Sequence, residues 1–304
     1  MQPTVSAPAQ ATDRAAITRI AAGVSGFADG DDAVALAAAI ARLTGAELML
    51  VEAFSAPLLP APPGWDWKSL RKQAEHKLHD YRRTLAPEAR TVLESDPSVP
   101  RALERVVRRE HRDLLVVGSS REAPEGRVWI GKRTRQLLYE LECALAVAPR
   151  GLRSREGIAL RRIGVGYDAG PEAEAALALA GSIAAAGGGE LRICGVVDDR
   201  IPALLRSPLS GLGAAQWQEV VAQHERQLHQ QIRARGEEFD LAVSSELARG
   251  RPADALLALS EKVDLLVIGS RRWGPVQRVL LGSTGEALMH GAACPVIAVP
   301  RPAS

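Results

Sequence analysis

The residues of this sequence best suited to chemistry are Gly269, Gly282, Ser283 and Thr284, with Asp168 far upstream. Glycines let a backbone approach a ligand closely, hydroxyls both donate and accept, and the free N–H groups of a helix start attract anions. A phosphate is therefore the natural guest of the loop between Gly269 and Thr284. Other roles stay open for the same residues. Ser283 with Glu286 fits a capping box, which only satisfies helix-end N–H groups. Asp168 fits a turn or a helix cap, and Arg271, Arg272 and Arg278 fit either a phosphate contact or a solvated loop.

Other chemistries find less support. His76 and His79 share a helix face but lack a third ligand, while His224 and His229 are five apart and diverge. The segment GVSGF has phenylalanine where a nucleophile elbow needs its last glycine. SGFADG departs from the SGGxDS-like phosphate loop of ATP pyrophosphatases at Phe27 and Gly30, so an adenylating enzyme is a weaker reading. No catalytic residue is assigned, and no general base stands out beside the loop.

The loop must be positioned by the elements around it. Leu265 to Ile268 is too short for a helix and stops at Gly269, so it reads as a buried strand. After Gly282 the apolar positions Ala287, Leu288 and Ala292 have helical spacing, and Val296 to Val299 reads as another strand. The same unit occurs earlier. Asp113, Gly118, Gly131, Cys143 and Pro149 each precede Asp264, Gly269, Gly282, Cys294 and Pro300 by 151 positions. Ile20, Gly23, Ala37, Glu47 and Leu48 match Ile163, Gly166, Ala180, Glu190 and Leu191 at an offset of 143. The chain is thus two copies of one unit, the second with an insertion between Val197 and Trp217.

Each copy alternates strands and helices. The first predicts strands at Ile17–Val24, Glu47–Phe54, Ala89–Leu93, Leu114–Val117 and Leu145–Ala148. Helices follow Asp31, Lys68, Arg101 and Thr134, the second with a charged outer face. The second predicts strands at Ile163–Tyr167, Leu191–Val197, Leu241–Ser245, Leu265–Ile268 and Val296–Val299. Its helices begin near Pro171, Gln216, Ala253 and Gly282. This alternation implies two tandem, doubly wound, parallel five-stranded sheets flanked by helices, whose ligands bind beyond the carboxyl ends of the strands. The expected division is a flexible leader at 1–16, a first domain at 17–150, a linker at 151–160 and a second domain at 161–302.

With 304 residues, 46% of them hydrophobic, the chain can bury two ordinary cores. A net charge of +2 argues against nucleic acid as a partner. The three cysteines are too scattered for a metal framework and suit a reducing compartment. The first residues lack a basic start and an apolar stretch, and no apolar run is long enough to span a bilayer. A soluble cytoplasmic protein with no membrane partner is expected.

Over nearly its whole length, from about Ile17 to Pro300, the sequence resembles the universal stress protein family in a tandem form. The family's nucleotide-binding members carry glycine, two residues, glycine, nine residues, glycine and a small hydroxyl residue. The second copy keeps Gly269, Gly282, Ser283 and Thr284 in register, with Arg272 at the middle glycine. The resemblance implies that Asp168 contacts the adenosine part of ATP, that Val196 at the end of the second strand joins it, and that Ile268 and Gly269 line the adenine and ribose side. Arg271 and Arg272 would lie beside the phosphates. ATP or another adenine nucleotide, alone or with magnesium, is the implied cofactor, in a regulatory stress-response role with at most slow hydrolysis.

The first copy departs more, with Ser25 at the aspartate position, Arg121 at the middle glycine, and Lys132 and Arg133 after Gly131. If the middle glycine needs positive φ, an ordinary residue there costs about 1–2 kcal/mol. Lys132 is expected to fill the phosphate position, with Glu122 and Glu125 compensating its charge, so the second copy should be the better binder. The other reading is an ATP-independent interaction or scaffold protein with degenerate loops. Family members dimerise by the fifth strand, so Leu145–Ala148 and Val296–Val299 should join the two copies, and a homodimer through these strands is a possible partner arrangement.

Overall fold

The computed structural model describes residues 16–24, 30–54, 66–155, 157–200, 214–270, 279 and 281–301. The expected leader, Ser25, most of the insertion, and Arg271, Arg272 and Arg278 lie outside the described residues.

The first copy supplies strands β1 (Arg19–Gly23), β2 (Glu47–Phe54), β3 (Arg90–Ser95), β4 (Leu114–Gly118) and β5 (Ala144–Ala148). The second supplies β6 (Arg162–Tyr167), β7 (Glu190–Val197), β8 (Ala242–Arg249), β9 (Leu265–Gly269) and β10 (Val296–Val299). Helices α1 (Gly30–Thr44), α2 (Trp67–Thr84), α3 (Val99–Arg109) and α4 (Lys132–Glu140) alternate with the first set. Helices α5 (Pro171–Gly187), α6 (Ala214–Gly236), α7 (Pro252–Ser260) and α8 (Ser283–Leu288) alternate with the second. All these elements fall where the periodicity put them, with ends shifted by a few residues.

The two five-stranded sheets join edge to edge through their fifth strands, as expected, into one ten-stranded sheet. The strand order is β3-β2-β1-β4-β5-β10-β9-β6-β7-β8. Every pairing within a copy is parallel, and the copies meet antiparallel, with Val296 opposite Val147, Ile297 opposite Ala146 and Ala298 opposite Leu145. An apolar strand left as an edge is an association hazard, and here each fifth strand covers the other. A homodimer of whole chains through the fifth strands is therefore pre-empted, because both edges are already used within one chain.

Alternation along the strands divides the core into two layers. Ala144, Ala146 and Ala148 point to the layer that also holds Ile40 of α1 and Ile183 of α5, while Leu145 and Val147 point to the layer of Leu103, Leu137, Leu259 and Leu288. Each layer runs through both copies. Thus the junction is core rather than rim. The link between the copies is part of it, since Leu152 and Leu160 are buried. The buried Asp32 of α1 accepts from Gly151 N and Arg153 N, both at 2.8 Å.

A repeated aspartate fixes the entry to each copy. Asp113 Oδ2 accepts from Thr18 N at 2.9 Å and Arg19 N at 2.8 Å, starting β1. Asp264 Oδ2 does the same for Arg161 N at 3.0 Å and Arg162 N at 2.8 Å, starting β6.

Candidate ligand site of the second copy

In the second copy the chain order of the strands reverses between β6 and β9, and this is where a crevice opens beyond the carboxyl ends of parallel strands. A cavity of about 280 Å³ lies there. This is just below the roughly 300–1,000 Å³ usual for small-molecule sites. Asp168 enters it from the end of β6, Val196 from β7, and Ile268 and Gly269 from β9. Gly282, Ser283 and Thr284 close it from the start of α8. The seven described residues singled out by sequence therefore line one cavity.

Each is held there for a local reason. Asp168 Oδ1 accepts from Gly170 N at 3.0 Å, so the turn role is real and Asp168 also lines the cavity. The turn places Ala169 at φ 60, a left-handed conformation that costs a non-glycine residue about 1 kcal/mol and is found preferentially at functional sites. Gly269 must be glycine because a Cβ there would meet Glu172 O at 2.6 Å, where the first turn of α5 crosses the end of β9. Gly282 occupies the N-cap of α8 in an extended conformation (φ −83, ψ −177). With Gly282 there, Ser283 is the first helical residue and not the cap, so the capping box does not form. Glu286 instead turns to Arg135 of α4, at 3.4 Å. The helix has only six residues, so it offers the unpaired N–H groups of one turn more than a large dipole.

Several further wall residues escaped the sequence reading, Glu172 and Ser270 among them. Glu172 is 4% exposed and its Oε1 makes no hydrogen bond, although Arg301 Nε stands 3.5 Å away. Ser270 is 8% exposed and its hydroxyl has no hydrogen-bond partner among the described residues. A carboxylate at the start of an alanine-rich helix reads from sequence as a dipole partner, and a serine after a strand-ending glycine reads as a turn. Only their burial marks them out.

The remaining wall is apolar, with Ala173, Leu256 and Ile268 buried. Burial first, and then the 2.5 Å hydrogen bond to Glu174, push the Tyr167 hydroxyl up to about 12. Burial also pushes the Cys194 thiol up to about 11. Neither is an ionised nucleophile at neutral pH, and the cavity offers hydrogen-bonding groups beside an apolar face. Among the described residues no cluster of acids, histidines and cysteines could hold a metal ion.

The matching loop of the first copy is put to another use. Gly131 has the same extended backbone as Gly282 (φ −86, ψ −179). The segment before it, however, lies against the second copy. Val128 N donates to Ala292 O at 2.8 Å, Ile130 N to Met289 O at 3.0 Å, and the Trp129 ring stands edge-on to His290 at 4.9 Å. Arg127 pairs with Glu261. Arg121 does not have positive φ, so the expected strain at the middle-glycine position is absent there. Lys132 is exposed, and Glu125 pairs with Arg150 at 3.4 Å.

A tandem, doubly wound α/β protein with a ligand-sized crevice at one switch point is the class that this fold and site define. The universal stress protein family model matches residues 16–149 and again 159–300, and the chain belongs to that family. It is 30% identical over 102 residues to a universal stress protein of Methanocaldococcus jannaschii, covering 32% of this chain and 60% of that one. With a universal stress protein of Thermus aquaticus it shares 46% identity over 55 residues, 17% of this chain and 40% of the relative. The chain thus spans less than two thirds of the length of these relatives. The crystal structure of a universal stress protein from Archaeoglobus fulgidus DSM 4304 superposes with a TM-score of 0.61 at 18% identity, over 93% of this chain and 96% of that one. That likeness is one of fold. No helix among the described residues is long and apolar enough to cross a membrane.

Proposed function

We propose that this chain is a tandem universal stress protein that binds ATP or a related adenine nucleotide, mainly in the cavity of its second copy, in a regulatory stress-response role. The observation that supports this reading is convergence. Asp168, Val196, Ile268, Gly269, Gly282, Ser283 and Thr284 come from four separated stretches of sequence, and all line one crevice at the switch point. In this reading the apolar wall takes the base, Asp168 takes a donor on the adenosine part, and the Gly282 loop meets the phosphates, with Arg271 and Arg272 beside them. Magnesium would accompany the phosphates as their counter-ion. The setting is cytoplasmic, and a homodimer of whole chains would use surface other than the fifth strands.

Denaturing the purified protein and assaying the supernatant for adenine nucleotide tests the reading, together with an ATP titration of thermal stability. Ligand at 100 times its dissociation constant should add about 2.7 kcal/mol. Repeating the titration with a chelator tests the magnesium. Slow release of phosphate from ATP is the most turnover that the reading allows.

The second reading, an ATP-independent interaction protein, is favoured by one observation. The first copy uses its corresponding loop to hold a protein surface, through Val128, Trp129 and Ile130. No stabilisation by ATP, ADP, AMP or cyclic AMP would select it.

A further inference from the structure

A second cavity, of about 540 Å³, opens at one end of the seam between the copies, within the roughly 300–1,000 Å³ usual for small-molecule sites. Because β5 and β10 run antiparallel, the carboxyl ends of the first copy's strands lie beside the amino ends of the second's, and the link from β5 to β6 crosses the seam there. Three segments wall the cavity, and each contributes an arginine. Arg127 comes from the loop of the first copy, Arg155 from the link, and Arg162 from the start of β6.

These charges are within reach of a dissolved ligand. The Arg127 and Arg162 side chains are 40% and 48% exposed, and Arg155 is exposed as well. The acids of the same wall are already committed. Glu261 pairs with Arg127, Asp264 with Arg162 at 2.6 Å, and Glu125 with Arg150 at 3.4 Å. Arg155 has no acidic partner among the described residues. Its guanidinium nevertheless lies over the cavity wall, since a Cβ on Gly126 would stand 3.4 Å from its Nη2 and its charge acts on the buried thiol of Cys294. Beside it in the wall, the N–H groups of Gly157, Ile158 and Ala159 have no hydrogen-bond partner among the described residues.

Donors in excess of free acceptors set the ligand chemistry. A cation would find each of these carboxylates occupied, and an apolar guest would take up none of the donors. The planar fork of a guanidinium matches two oxygens of a carboxylate or a phosphate. We propose that this cavity is a second ligand site, for a small anion with phosphate or carboxylate oxygens, held by Arg155 with Arg127 and Arg162 beside it. Such an anion would tie the link to both copies and so stabilise the whole chain. The site is independent of the nucleotide reading, because it shares no residue with the crevice around Asp168 and Gly282.

Calorimetric titration and thermal unfolding of the full chain test it, with inorganic phosphate, succinate and citrate at low ionic strength and chloride as the matched control. At least one of the three should bind once per chain and raise Tm where chloride does not. Arg155→Gln changes an exposed side chain that the fold should tolerate, and it should weaken that binding at least about tenfold, the factor for a charge-assisted hydrogen bond. Lys68→Gln removes the same charge from an exposed position of α2 and should leave binding unchanged. A preference for phosphate or for the carboxylates supports the site either way and assigns its head group. No binding of any probe, or binding that ignores Arg155→Gln, would overturn the proposal. So would an equal loss in Lys68→Gln, which would mean attraction by net charge alone, or a loss in Gly282→Leu, which would place the anion in the other crevice.

Discussion

Ser119 and Ser270 occupy the same position in the two copies, and among the described residues only Ser119 has a side-chain hydrogen-bond partner. The difference originates ten residues further along the first copy. Trp129 brings its backbone N–H down onto the Ser119 hydroxyl and its ring onto His290, so the first loop is closed by contacts with its own serine and with the other copy. From this come two kinds of expectation, one for the ligand site and one for the junction.

At the site, replacing Gly282 by leucine should abolish most adenine-nucleotide binding, because the side chain would stand in the wall of the cavity. The same change at Gly131 should leave binding within about twofold, since surface substitutions away from a site act weakly. Titration calorimetry on both variants checks the asymmetry. Equal losses, or two equivalent sites per chain, would contradict it.

Gly269→Ala should destabilise the fold by about 1–3 kcal/mol, because its Cβ meets backbone and not a movable side chain. Gly131→Ala has its nearest neighbour at 3.9 Å and should change stability by no more than about 0.5 kcal/mol. Urea denaturation of the two variants gives the comparison directly.

Asp264 gives a pH dependence. Burial alone would push its carboxyl up, but the Arg162 guanidinium and the amides of Arg161 and Arg162 outweigh burial and hold it below the usual value. A depressed carboxyl contributes stability that is full above the unfolded value near ~3.9 and is lost as pH falls through the folded value. Asp264→Asn should therefore cost about 1–3 kcal/mol at pH 7, with the gap from wild type closing as the pH is lowered below about 4. A gap that is constant with pH would show that the charge is irrelevant.

At the junction, Trp129→Ala should cost about 1–2 kcal/mol through loss of its packing on His290. Glu261→Gln, which breaks an exposed pair with Arg127, should cost less than about 1 kcal/mol. If the ion pair proves the larger, the clasp is electrostatic and should weaken with salt.

The three cysteines are buried and unpaired with one another. Burial pushes Cys194 up to about 11 and Cys294 up to about 12, and Cys143 higher still. A thiol reagent at pH 8 should react slowly with native protein and fully once urea unfolds it, since the thiolate is the reactive species. Fast labelling of the native chain would mean that these sites open readily.

Much of this architecture is legible in the sequence because strand and helix periods are local properties. The run Leu265–Gly269, the repeat of Asp113 at Asp264 and the apolar fifth strands fix the sheet and its junction. The Gly282 loop and Asp168 are legible for the same reason, as each is a short pattern in register. Glu172 is not, because its meaning depends on which helix crosses which strand end. Nor is the difference between the two loops. Gly118-Ser119 and Gly269-Ser270 are the same dipeptide, and only the tertiary path of Val128 to Ile130 gives the first one its partners.

The antiparallel seam between β5 and β10 has a thermodynamic consequence of its own. Two separate chains joined by such a seam would come apart on dilution, and their pairing would depend on how much protein a cell contains. Here the partner is always supplied at the effective concentration set by the connecting segment, so the seam is insensitive to abundance. Each half also faces one fixed and non-identical neighbour. A substitution in one copy is therefore felt once, where in a pair of identical chains it would be felt twice, which lets the two loops diverge in sequence without a matching change in the other half.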